Sequence, residues 1–336
     1  MIKTEVLIIS YLRNHRNDEL CLSTGEHYGV FCDKNEDTAV KIAVSNMIND
    51  IKKVCGAEGC ITHDKREAKI VIQTKILEHK EEFEISENQG KLYIFGNDRR
   101  GTIYGIYDFC ENAGVSPWYW FGDVPIKMCA CISVKKGFFK RDYPAVEYRG
   151  IFLNDEEELA AWARSYMHED GIGIKTYEKI FELILRLKGN YIWPAMHTGA
   201  FNLIKGGGEL ADRMGIVIGT SHCDMLLRSN QNEWEPWKKK KGYFDLQYDY
   251  SINGENRNKL RKYWSECVED NKCYEVSYTM GMRGIHDSGF VCKNAHSQKE
   301  KVKLLEKIIT DQQEIINKAT GNNNSFQTFV PYKEVL

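Results

Sequence analysis

The sequence predicts an α/β protein: a mixed N-terminal domain followed by parallel strands that alternate with helices. Three observations carry this. The run Gly150 to Leu153 is apolar and ends abruptly in Asn154, Asp155 and Glu156, the signature of a short buried strand with a polar C-terminal tip. The same pattern returns in Tyr191 to Met196 before His197, Ile216 to Gly219 before Thr220-Ser221-His222, Val276 to Met282 before Arg283, and Phe326 to Tyr332 before Lys333-Glu334. Stretches of helical spacing separate these runs, and parallel strands joined by helices wind towards a barrel or an open sheet with both faces covered.

The N-terminal part comes first. Val6 to Ile9 and Gly29 to Cys32 read as strands, and Asp37 caps a helix that carries Val40, Val44, Met47 and Ile51 on one face and stops at Gly56. Lys69 to Thr74 reads as a buried strand. Glu82 to Ile85 and Lys91 to Phe95 form a hairpin around Glu87-Asn-Gln-Gly90. Asn97 or Asp98 then opens a helix with Ile103, Ile106, Tyr107 and Cys110 on its inner face, and the order of its glycines is not that of a dinucleotide fingerprint. Arg99 and Arg100 fit either an anionic ligand or a salt-bridged surface. The aromatic stretch with Trp118, Tyr119 and Trp120 either floors a sugar site or glues domains together. Lys135 to Tyr143 is charged and turn-like, which sets the domains at 1–142 and 143–336.

In the second part, helices are expected over Thr176–Lys188, Glu209–Met214, about Asn258–Glu269 and Lys299–Ala319, with a long polar excursion from Ser229 to Asn256. The basic block Lys238 to Lys241 within that excursion reads as a solvated insertion. A chain ending on the tip of a fifth strand leaves a sheet edge unpaired, so the sequence reads as the first part of a longer protein. An open sheet would make it complete.

Composition narrows the function. With 46 basic and 48 acidic residues, the net charge of -2 gives no field for nucleic acid or an anionic membrane. The 336 residues suit two domains. Eleven cysteines without a Cys-x-x-Cys pair read as free thiols of a reducing compartment, and the nearest pair, Cys129 and Cys131, lacks partners for a metal. No signal peptide precedes the first strand, so a soluble cytoplasmic protein is expected, or a secreted one if a leader stands before Met1.

Several motifs together resemble glycoside hydrolase family 115: Gly96 to Asp108, Gly114-Val-Ser-Pro-Trp-Tyr-Trp120, Tyr148 to Glu156, Leu187 to Met196, Gly219-Thr-Ser-His222, Gly281-Met-Arg-Gly284 and Pro331-Tyr-Lys-Glu-Val335. The resemblance implies an N-terminal α/β domain and an incomplete (β/α)₈ TIM barrel of about five strands, with further helical and β domains beyond Leu336. It also implies a xylan α-1,2-glucuronidase that removes glucuronic or 4-O-methylglucuronic acid from xylan or xylo-oligosaccharides, with inversion, no cofactor and no metal. A homodimer of the full-length protein is the further partner considered.

Such hydrolysis uses two carboxyl groups, roughly 6.5–9.5 Å apart when the configuration inverts. Asp155, Asp287 and Glu334 sit at or just beyond strand tips. Family analogy makes Glu334 the general acid and Asp155 and Asp287 the base or water-orienting groups; a helix cap is the other role open to Asp155. For substrate binding, Arg283 suits a uronate because guanidinium pairs a carboxylate bidentately, or it pairs with Asp287. His197 and His222 can donate to the sugar, Trp193 can line it, and Asn154 and Glu156 complete the first polar tip. Two departures bear on the sugar contacts: Cys223-Asp224-Met225 replaces a His-Glu-Pro-Met run of many relatives, and Ile285-His286-Asp287 replaces Asp-Gly-Asp. The alternatives are a hexosaminidase-like glycosidase and an inactive, truncated carbohydrate-binding fragment.

Overall fold

The structure is a computed structural model that describes residues 20–154, 156–285, 288–322 and 325–332. The expected strand Val6 to Ile9 lies outside the described residues. Two compact units divide the chain: Met1–Arg149 with Lys179–Asn190 and Arg213–Gly215, and Gly150–Glu178 with Tyr191–Asp212 and Ile216–Leu336.

In the first unit the elements are β1 (Leu20–Ser23), β2 (His27–Phe31), α1 (Thr38–Cys55), β3 (Glu58–Thr62), β4 (Ala68–Thr74), β5 (Phe83–Asn88), β6 (Lys91–Gly96), α2 (Arg99–Ala113), β7 (Cys131–Val134) and β8 (Phe139–Asp142). Six strands form one sheet in the order β3-β2-β4-β6-β5-β8, while β1 pairs antiparallel with β7. Helix α1 starts where the Asp37 side chain accepts the Ala39 N–H and ends at Gly56, whose φ of 74° only glycine adopts cheaply. It buries Val40, Val44, Met47, Ile51 and Val54, each contributing roughly 1.5–3 kcal/mol relative to exposure. Asp98 caps α2 by accepting the Gly101 N–H.

Lys135 to Tyr143 departs from the expectation. Its second half is β8, paired antiparallel with β5, because Lys140 reaches buried Asp108 and Arg141 pairs with Glu82 and Glu78. Charge that reads as a turn is here an edge strand whose cations find buried acids. Arg100 takes the salt-bridged role: it is buried and bonds the Gly215 carbonyl at 2.7 Å and Glu81 at 3.4 Å. Arg186, also buried, lies 2.8 Å from both Asp50 and Glu182.

The second unit contains β9 (Gly150–Phe152), α3 (Glu156–Trp162), the start of α4 (Ile174–Arg186), β10 (Tyr191–Trp193), most of α5 (Gly207–Met214), β11 (Val217–Ile218), α6 (Trp234–Lys241), α7 (Glu255–Asn271), β12 (Tyr278–Met280), α8 (Gln298–Thr320) and β13 (Gln327–Phe329). The five strands pair in chain order and all run parallel. A single bridge, Ile218 to Val276, joins β11 to the β12 segment. Helix α8 opens with a capping box, Ser297 with Glu300. Among the described residues no helix is long and apolar enough to cross a membrane.

The expected polar excursion is corrected here. Residues 229–256 hold α6 and part of a core in which Trp234, Trp237, Tyr248 and Tyr250 pack with Tyr263 and Trp264 of α7. The Trp234 ring meets Tyr263 at 4.9 Å and Tyr248 at 5.0 Å, both edge-on. Polar residues between widely spaced aromatics hide the helical face from a periodicity reading. The block Lys238 to Lys241 is the last turn of α6, where Lys241 reaches Glu266 and only Lys239 and Lys240 of the four are exposed.

Candidate active site

The C-terminal tips of the second unit's strands surround a cavity of about 380 Å³. Its lining comes from β9 (Phe152, Asn154), β10 (Trp193, Met196, His197), β11 (His222, Cys223, Asp224), the turn after it (Asn230, Gln231) and β13 (Val330, Tyr332). Four of the sequence-derived binding residues, Asn154, Trp193, His197 and His222, therefore share one hollow. Residues up to about 180 positions apart meet because every strand points the same way.

Polar contacts among neighbouring strands fix Trp193. Its indole N–H donates to the Tyr191 hydroxyl at 2.7 Å, which in turn lies 2.6 Å from the Ser277 hydroxyl. Gly219 makes room for this chain, since any Cβ there would collide with both hydroxyls. Phe152 packs edge-on against the indole at 5.6 Å.

Glu156 acts behind the cavity and is not part of its wall, a correction to its expected place. Only 2% exposed, its carboxylate accepts the backbone N–H groups of Met196, His197 and Thr198 at 2.6–2.7 Å. Three charge-assisted bonds to successive amides hold the β10 tip in a fixed curve. Asn232 closes the same loop by donating to the carbonyls of Met196 and Gly199. His197 is thus carried on a braced loop, its Nδ1 lying 3.7 Å from the Glu157 carboxylate.

His222 faces the Tyr332 ring at 4.3 Å, and the Arg283 guanidinium lies over that ring at 5.1 Å. Arg283 is 1% exposed and is not among the residues that line the cavity. Asp155, Asp287 and Glu334 lie outside the described residues. Among the described residues no group of three or more His, Cys, Asp or Glu is placed to hold a metal ion. All eleven cysteines are free thiols.

Asp224 and Tyr332 were not among the expected site residues. Asp224 is 7% exposed and lines both the cavity and a void of about 20 Å³ shared with Thr220, Ser229 and Glu233. Burial, and after it the charge of Glu233, push its carboxyl up to about 7. The chain just beyond Asp224 is strained: Leu226 and Leu227 take φ of 51° and 65°, a left-handed conformation costing roughly 1–2 kcal/mol per residue. Both side chains are buried in the aromatic core, which offsets that cost and fixes the turn. The signal for Asp224 was its place in the same polar tip as His222. No single-residue pattern reveals that its neighbour would be another acid.

The model of the family described as glycosyl hydrolase family 115 matches residues 141–336. A solved structure described as a novel family GH115 4-O-methyl-α-glucuronidase, BtGH115A, with specificity for decorated arabinogalactans, is similar at a TM-score of 0.84 and 31% identity, over 94% of this chain and 43% of that one. The chain thus spans less than half the length of that relative. Two further structures show likeness of fold alone: the N-acetyl-β-hexosaminidase of Streptomyces plicatus (TM-score 0.55, 9% identity, 93% of this chain and 62% of that one) and a GH138 enzyme targeting pectin rhamnogalacturonan II (0.52, 15%, 88% and 34%). Among curated proteins nothing matches. The family match over more than half of the sequence, with a fold shared along nearly all of it, means that this chain belongs to glycosyl hydrolase family 115.

Proposed function

We propose that the protein is an α-glucuronidase that removes α-1,2-linked glucuronic or 4-O-methylglucuronic acid side chains from a plant polysaccharide, by inversion and without a cofactor. The observation that carries this reading is the cavity of about 380 Å³ with Asn154, Trp193, His197 and His222 on its wall. Its volume lies at the small end of ligand pockets and suits one sugar unit. An indole supplies a stacking face, and the amide and imidazoles supply hydrogen-bonding groups for hydroxyls or a carboxylate. The relative BtGH115A carries 4-O-methyl-α-glucuronidase in its description, which supports the choice of sugar.

The reading takes the five parallel strands as the first part of a (β/α)₈ barrel that begins near residue 143, with the N-terminal α/β domain before it. Glu334 is the proposed acid, and Asp287 and Asp155 the groups that activate or orient water. Sequence adjacency supports two of them: Asn154 directly precedes Asp155, Tyr332 lies two residues before Glu334, and both line the cavity. Protonation of the leaving oxygen by one carboxyl while another draws a proton from water needs no further group. Asp224, whose carboxyl burial and Glu233 push up to about 7, is a further acid and lines the cavity.

Xylan or its oligosaccharides is the proposed substrate, and the specificity of BtGH115A for decorated arabinogalactans supports a second polymer bearing the same sugar. Release of 4-O-methylglucuronic acid from aldouronic oligosaccharides and from decorated arabinogalactan, by the full-length protein, tests both. Glu334→Gln and Asp287→Asn are expected to lower turnover by at least about a hundredfold. No release from either polymer overturns the function, and unchanged turnover in both variants overturns the assignment of the acids.

A further inference from the structure

A uronate is an anion, yet one wall of the cavity is an acid. Asp224 stands between the cavity and the small void behind it, and its Oδ1 is buried with no hydrogen-bond partner among the described residues. The charged groups around it do not neutralise it. Glu233 lines the void with it and pairs with Arg228 at 3.3 Å. Glu156 and Tyr248 are the other titratable groups acting on it from behind, and both are acids. His197 and His222 line the same cavity.

We propose that Asp224 sets the pH range in which the cavity accepts an acidic sugar: the neutral carboxyl admits the uronate, and the ionised carboxylate repels it. This rests on the α-glucuronidase reading and adds to it a residue that governs affinity for charged as against neutral sugars. A buried carboxylate beside Glu233, in surroundings that screen poorly, opposes a second anion far more than a solvated one does. Its titration near neutrality then gives the fraction of molecules competent to bind, and the apparent affinity falls with that fraction. Hydroxylated neutral sugars meet no such repulsion.

Calorimetric titration of the 336-residue chain with D-glucuronate, and with D-glucose as the neutral control, at about pH 5.5 and about pH 8.5 tests the proposal. The wild type is expected to bind glucuronate about thirtyfold more weakly at the higher pH. Asp224→Asn, the same shape without the titrating proton, should lose at least about tenfold of that dependence. A parallel decline in the two proteins overturns the role of Asp224 and leaves the uronate reading standing. No glucuronate binding by either protein at either pH overturns the uronate reading and this inference with it. Infrared difference spectra of the wild type give a test that needs no variant: a neutral carboxyl must disappear between the two pH values, and the absence of one overturns the proposal.

Discussion

Glu182 in the first unit and Asp224 in the second are both buried carboxyl groups, yet their environments drive them in opposite directions. Burial pushes Glu182 up, but Arg186 and Lys179 beside it outweigh that and hold it below its ordinary 4.5. Asp224 meets the same desolvation, and its nearest charged neighbour, Glu233, pushes it further up, to about 7. The difference teaches that burial alone does not mark a functional acid. What sets Asp224 apart is burial beside another acid with no cation among the charges acting on it, the setting that makes a buried carboxyl a candidate functional group.

The comparison can be broken in four ways. Arg186→Met strands Asp50 and Glu182 without their shared cation and is expected to destabilise the protein by about 3–5 kcal/mol in urea denaturation; a loss near zero would show that the pairing does not offset the burial of these acids. Asp224→Asn should have the opposite sign. Because the folded protein holds the proton more tightly than the unfolded chain, wild-type stability falls as pH rises from about 4 through about 7, and the variant escapes this fall. A gain on the order of 4 kcal/mol at about pH 8, nearly vanishing by pH 4, is expected from denaturation curves across pH. Glu156→Gln removes the charge from three amide contacts and should cost about 1–3 kcal/mol, with faster hydrogen exchange confined to Met196–Thr198. Ser297→Ala breaks the α8 capping box, away from any buried acid, and should lower stability by only about 1 kcal/mol with no change in its pH dependence.

Elements fixed by local rules were legible in the sequence. The Asp37 cap, the Gly56 stop and the hairpin of β5 and β6 fall where turn chemistry and periodicity put them. The strand tips were legible because an apolar run that stops at a polar cluster has few other meanings, and Asn154, Trp193, His197 and His222 do line one cavity. What escaped depends on partners distant in sequence. Strand β8 looks like a charged turn until Asp108 and Glu82 are seen to receive its cations. Glu156 looks like a ligand group until the amides of the next strand's loop are seen to fill its carboxylate. The raised proton affinity of Asp224 arises first from its burial and then from Glu233, which a turn that the sequence presents as a polar loop brings to the same void.

That turn links the cavity to the aromatic core. Leu226 and Leu227 hold their strained backbone only because the core grips their side chains, and the Tyr263 hydroxyl pins the Ser229 carbonyl at 2.6 Å. A conservative change on α7, such as Tyr263→Phe, alters no residue that lines the cavity. Freeing the Ser229 carbonyl should nevertheless move the pH over which the Asp224 carboxyl gives up its proton, read by infrared difference spectra, so a helix outside the cavity acts as a tuning peg for an acid on its wall.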